Sequence, residues 1–355
     1  MTNPTSDVDR IVTVLEPHDE YTHHPGDAVN YNESMYLNAF DLGSQAGGWF
    51  RLGNRVNEGY AEMSVCIYLP DGRVGFMYDR PQIDDNDAMD AGGLRITVDE
   101  PFRRLTVRYE GRVCVLDDPG EMANPRAAFR DNPIVEATVD LAYRGVSPMY
   151  GGMPQYADGR ELDTGNGFAK AHYEQHCAVT GTITVGATDT AGAAVLEIDG
   201  LGLRDKSWGP RYWQALRWYR WLPMVFSDDF AMMLSIVARD ADEPPSTGGM
   251  VLVGDRYDKV LDCRVDAEWD ERGEQTAMRC WVRTAEREYD VTGEVLSMIP
   301  LRNRRTDADG GQLHTRITEA MTRFECDGMT GLGMSEFLDQ VVDGWPVGVP
   351  LPAEA

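Results

Sequence analysis

The segment Gly202–Trp213, GLRDKSWGPRYW, gathers Arg204, Asp205, Lys206, Trp208, Arg211, Tyr212 and Trp213 within twelve residues. An acid among indoles suits proton transfer in a water-poor pocket. Burial against apolar rings raises a carboxyl pKa, so that Asp205 keeps a proton to donate, and the faces of Trp208 and Trp213 can hold a cation. On a strand, successive side chains face opposite ways. Asp205 and Ser207 then share one face, and Arg204, Lys206 and Trp208 share the other. Arg211 acts against the acid role: if it pairs with Asp205, the carboxylate stays charged and is structural or a base. Gly209–Pro210 ends the strand. Tyr212, Trp218, Tyr219 and Trp221 extend the aromatic density, as pocket wall or as core.

Two further groups carry chemistry. In His172-Tyr173-Glu174-Gln175-His176 the two imidazoles and Glu174 fall on one strand face, about 7 Å apart in steps of two. They can ligate a metal, line a polar pocket, or face solvent; no fourth ligand is assignable, and the reading adopted here requires no metal. Glu33, Tyr36, Asn38, Trp49 and Arg51 form the other group. Tyr36 and Asn38 share a face and can position a hydroxyl or a water, while Glu33 lies on the opposite face. Arg51 can pair with an acid such as Glu58. His23–His24 reads as a solvated pair in a polar loop.

The elements that must position these residues are strands. Ala61, Met63, Val65, Ile67 and Leu69 alternate with polar or smaller partners, the signature of a half-buried strand. Glu33–Phe40, Arg73–Tyr78, Leu94–Val98, Arg104–Tyr109, Arg112–Leu116 and Ile134–Tyr143 continue the pattern, with Asp71–Gly72, Gly92–Gly93 and Glu110–Gly111 as turns. One helical stretch is expected at Glu121–Phe129. Residues 145–167, rich in Gly, Pro and Asp, separate two halves, placed at 1–165 and 166–355. In the second half strands are expected at 171–185, 194–198, 203–208, 230–238, 250–257, 260–269, 277–284, 288–295 and 313–323, with loops at 241–249 and 302–311. The result is an all-β chain of two antiparallel barrel or sandwich units with few short helices. No phosphate-binding loop, dinucleotide fingerprint, HExxH or nucleophile elbow is present.

Composition narrows the partners. The 355 residues carry Lys+Arg 33 against Asp+Glu 59, a net charge of −26. Such a surface repels nucleic acid and anionic lipid. No apolar run is long enough for a membrane helix, and the N-terminus lacks a signal pattern. Six scattered Cys without a CxxC fit reduced thiols and a cytoplasmic setting.

Read in order, NESMYLNAF (32–40), GGWFRLGNRVNEG (47–59), HYEQH (172–176) and GLGLRDKSWGPRYW (200–213) resemble the AttH-like and carotenoid 1,2-hydratase (hydroxyneurosporene synthase) superfamily. The resemblance implies two lipocalin-like β-barrel domains packed together. It implies a cofactor-free hydratase or dehydratase, a lyase acting on an apolar terpenoid, isoprenoid or carotenoid-like alkene or tertiary alcohol, in a pocket between the barrels. Asp205 would be the acid, with Glu33, His172 and Glu174 as its partners in proton transfer. Tyr36, Asn38, Trp49, Arg51, His176, Lys206, Trp208, Arg211, Tyr212 and Trp213 would contact the substrate. Lys206 stands where many relatives carry His. A cofactor-free isomerase or cyclase, and a non-catalytic lipid-binding barrel, are the alternatives. The expected partner is an apolar small molecule, and a homodimer is compatible with the sequence.

Overall fold

The computed structural model describes residues 10–351 except 164, 166 and 307–309. The polar N-terminus at 1–9 and parts of the loops expected at 145–167 and 302–311 lie outside the described residues. The described residues form two antiparallel sheets, of twelve and ten strands. Eight strands of the first close on themselves, because Ala171–Val185 pairs with both Ala194–Pro210 and Ile134–Gly145, and the latter pairs with Arg104–Leu116. No helix among the described residues is long and apolar enough to cross a membrane.

Eight strands position the site: β1 (Tyr31–Asp41), β2 (Ala46–Arg55), β3 (Ala171–Val185) and β4 (Ala194–Pro210) in the first sheet, and β5 (Trp218–Ser227), β6 (Glu288–Thr306), β7 (Gln312–Cys326) and β8 (Met329–Val342) in the second. In the first sheet β3-β4-β1-β2 are consecutive neighbours, as are β5-β8-β7-β6 in the second.

Alternation sorts the side chains into layers. Met35, Leu37, Ala39, Phe50, Leu52, Val65 and Ile67 fill the first barrel. Their strand neighbours Tyr36, Phe40, Trp49, Cys66 and Tyr68 face outward, but onto Ile299, Met321, Leu332 and Met334 of the second barrel. Both faces of β1 are therefore buried, and the second barrel has its own core around Leu222, Met224, Phe324 and Phe337.

Several expectations are corrected. Arg104–Leu116 runs unbroken through Glu110–Gly111, and 194–198 joins 203–208 in the single strand β4. The expected loop at 302–311 begins as strand, since β6 extends to Thr306. The change of sheet falls at 211–217, not in the 145–167 stretch, and β3 and β4 belong with the first half. In strand β8, Gly331 and Gly333 lie where a Cβ would sit 2.2 Å from Val225 O and 2.1 Å from Pro223 O. Their missing side chains let β8 press against β5. The helical expectation is met by a 3-10 turn at Pro119–Ala123 and a helix at Pro125–Asp131.

Candidate active site between the barrels

A cavity of about 880 Å³ lies where the outer faces of the two barrels meet. The first barrel supplies Ser34, Tyr36, Trp49, Arg51, His172, Asp205 and Ser207; the second supplies Trp221, Leu301, Ile317, Glu319 and Glu336; the connector contributes Arg211 and Trp213. Tyr36 stacks on Trp49 at 5.7 Å and meets Trp221 edge-on at 5.5 Å, while Phe168 meets Trp213 edge-on at 5.6 Å. These rings give the cavity an aromatic lining with faces available to a cation.

On β3 and β4, Glu174 and Asp205 are cross-strand partners. His172 Nε2 contacts Asp205 Oδ2 directly and lies 3.8 Å from Glu174 Oε1. Burial alone would lower the imidazole, but the charges of Asp205 and Glu174 outweigh it and raise His172 to about 9. Glu174 is buried and accepts from Trp221 Nε1 (2.7 Å), a side chain reaching across from the second sheet. Burial and then the Asp205 charge, opposed by His172, raise Glu174 to about 7. Its Oε2 is buried without a partner. One donor atom from each of His172, Glu174 and Asp205 lies within 4.8 Å of the others, a spacing that can hold a cation. Arg211 makes no ion pair with Asp205; its Nη2 donates instead to Ser207 Oγ (2.7 Å).

The sequence reading missed the second group. Glu319 on β7 and Glu336 on β8 are cross-strand partners with hydrogen-bonded carboxyls. The Tyr36 hydroxyl lies 3.5 Å from Glu319 Oε2, and the Tyr219 hydroxyl donates to Glu336 Oε1. Burial, then the adjacent Glu336, holds the Glu319 carboxyl well above the usual carboxylate range. Burial, opposed by the Tyr219 bond and reinforced by the Asp205 charge, raises Glu336 to about 7. Two carboxyls so placed keep a proton between them near neutrality. The available signal was local: Glu319 and Glu336 each interrupt a short run of small or apolar residues, Ile317–Thr322 in β7 and Leu332–Leu338 in β8.

The remaining expected site residues lie elsewhere. Lys206, on the opposite face of β4 from Asp205, is buried 3.0 Å from Glu33 Oε1 and donates to the carbonyls of Asp19 and Tyr21. Glu33 also bonds His23, Tyr31 and Asn86; burial opposes ionisation, but the His23 bonds and Lys206 hold its carboxyl down at about 2. His23 is therefore no solvated loop residue, and it stacks on Trp208 at 4.2 Å, which takes that indole out of the cavity. Glu33, Lys206 and Trp208 thus tie the N-terminal segment to the barrel. Asn38 Oδ1 accepts from Leu203 N (2.9 Å) where Gly202 brings β1 and β4 together; a Cβ there would lie 1.9 Å from Asn38 O. His176 shares the face of His172, but further along the seam, where it bonds Tyr257 (2.9 Å) and Met232 O (3.2 Å) and burial lowers it to about 4. Tyr212 is 37% exposed. Arg51 pairs with Glu62 (3.4 Å), while Glu58 is taken by Arg55.

No curated protein matches the chain. The crystal structure of CghA superposes at a TM-score of 0.55 with 12% identity, covering 89% of this chain and 90% of that one. CghA with Sch210972 superposes at 0.53, with 12% identity over 87% and 88%. A putative AttH from Nitrosomonas europaea superposes at 0.49, with 14% identity over 93% and 98%. The shared fold is the two-barrel architecture that the AttH-like resemblance implies. A sequence-family model described as a domain of unknown function, DUF7064, matches residues 16–341, and the chain belongs to that family.

Proposed function

We propose that the chain is an acid–base hydratase or dehydratase that acts on an apolar, isoprenoid-like alkene or tertiary alcohol in the cavity between its barrels. The observation that carries this reading is the buried cross-strand Glu319–Glu336 pair, facing an aromatic cavity that also holds the His172–Asp205 ion pair. Glu319 donates a proton to an alkene carbon: a C–H bond forms from the π electrons and leaves a tertiary cation. The faces of Tyr36, Trp49 and Trp221 stabilise that cation. Water adds to it and loses a proton to Asp205, which His172 holds in place, and exchange with solvent resets both acids. Dehydration runs the same steps backwards. The acid role thus passes from Asp205 to the glutamate pair. The fold relative CghA is described with Sch210972, which supports a small molecule as occupant of this architecture.

The test is turnover of a panel of isoprenoid alkenes and tertiary alcohols, linalool among them, in heavy-oxygen water. A hydratase incorporates the label, and Glu319→Gln slows incorporation by about 100-fold or more. Unlabelled rearranged products identify an isomerase or cyclase; binding without turnover by any panel member overturns the catalytic reading. A second reading is favoured by the donor spacing of His172, Glu174 and Asp205, which would hold a divalent cation. Elemental analysis of the purified protein, with turnover after EDTA treatment, decides between them.

A further inference from the structure

Arg211 is 6% exposed, and its guanidinium bonds only hydroxyls: Ser207 Oγ at 2.7 Å and Ser34 Oγ at 3.5 Å. Its Nε has no partner, and no ion pair engages it among the described residues. Its Cζ lies over the Phe168 ring, 4.0 Å from the centre, so it cannot swing out to water without losing that contact. A second guanidinium converges on the same spot. Ser34 is the cross-strand partner of Gly53, and a Cβ at Gly53 would be 2.8 Å from Arg51 Nη2. Arg51 therefore lies along β2 beside Ser34, and that Nη2 is also buried and unpartnered. The two cations feel each other: burial first, then the Arg51 charge, pushes Arg211 down to about 10.

A buried guanidinium without a carboxylate is costly, and a second positive charge acting on it adds to that cost. Glu62 serves Arg51 at 3.4 Å and Arg80 at 3.7 Å, and Asp205 is taken by His172, so neither acid forms an ion pair with Arg211. Arg302 and Arg304 line the same cavity, and on β6 Arg302 faces Arg316 across the strand pair, like charge opposite like. This concentration of cations occurs in a chain of net charge −26.

We infer that Arg51, Arg211, Ser34 and Ser207 form an oxyanion subsite, and that the substrate is an apolar molecule bearing a carboxylate or phosphate group. The guanidinium fork matches both groups, and the Ser34–Ser207 pair, hydrogen-bonded to each other at 3.0 Å, leaves one serine O–H as a further donor on the same face of the sheet. The anionic end anchors there and directs the apolar body toward Tyr36, Trp49 and Trp221. The inference rests on the cavity being the substrate site.

The experiment measures binding, not turnover: dodecanoate, dodecyl phosphate and dodecanol are titrated at pH 8 against the quenching of intrinsic tryptophan fluorescence. At least one anion is expected to bind the unmodified protein about tenfold or more tighter than dodecanol. Which anion binds tighter separates a carboxylate from a phosphate substrate. Arg211→Gln is expected to bring the ratio close to one while dodecanol affinity stays unchanged. If that variant does not fold, Arg51→Gln, at a less buried position, decides alone. Equal binding of dodecanol and both anions by the unmodified protein, or a preference that survives in every variant that folds, overturns the subsite and leaves the acid–base reading standing. Failure of all three compounds to bind overturns both.

Discussion

Glu336→Gln replaces the more weakly held acid of the pair with a neutral side chain of the same shape. In the folded protein the Glu336 carboxyl sits at about 7 against an ordinary 4.5. At 1.36 kcal/mol per pH unit that difference amounts to about 3 kcal/mol. The sign follows from proton counting. Between about pH 4.5 and 7 the folded state keeps a proton that the unfolded chain has released, so stability falls as pH rises through that window. Below it both states are protonated and nothing is lost. Glutamine never ionises, so the variant avoids this loss, and Glu319 is relieved of its neighbour's charge as well. Urea unfolding followed by tryptophan fluorescence should therefore show the variant within about 1 kcal/mol of the parent at pH 4.5 and about 3 kcal/mol more stable at pH 8. A difference that does not change with pH would refute the claim that the two carboxyls share one buried proton. Such a gain would also show that the site is maintained at a cost to stability, as expected of groups tuned for proton transfer.

Glu319→Gln should lower kcat by about 100- to 10,000-fold with substrate affinity retained, the range for loss of a general acid, measured on whichever panel substrate turns over. Asp205→Asn should bring the His172 imidazole down from about 9 toward its ordinary value near 6.5, read by NMR titration; an unmoved titration would mean that the ion pair does not form. Lys206→Met leaves Glu33 buried without its ammonium and should cost about 3 to 5 kcal/mol in urea unfolding. The anion-over-alcohol binding ratio should not change, because Lys206 lies on the strand face away from the cavity. Glu33 is depressed to about 2, so the stability it contributes is present above about 4.5 and is lost as pH falls toward 2.

Alternation made much of this legible. The parity argument separates Asp205 and Ser207 from Lys206 and Trp208, and the structure puts the first two in the cavity and the others against the N-terminal segment. It also places Ser34 and Tyr36 on one face, and both reach the cavity. What parity cannot supply is distance along the strand. Asn38 and His176 share faces with cavity residues but lie further along the seam, under other partners. Strands β2 and β8 were hidden because both their faces are buried and glycines stand where backbones touch, which erases the period-two signal. Glu319 and Glu336 stand 17 residues apart in sequence as ordinary acids, and only the β7–β8 register makes them a pair.

Trp221 grows from the second sheet beside Glu336 and donates its indole N–H to Glu174 of the first. That bond spans the seam between the two sheets. Any slight rocking of one barrel on the other would be felt at Glu174 as the gain or loss of a donor. Ligand entry, if it parts the barrels, would thereby alter the protonation of the site before chemistry begins.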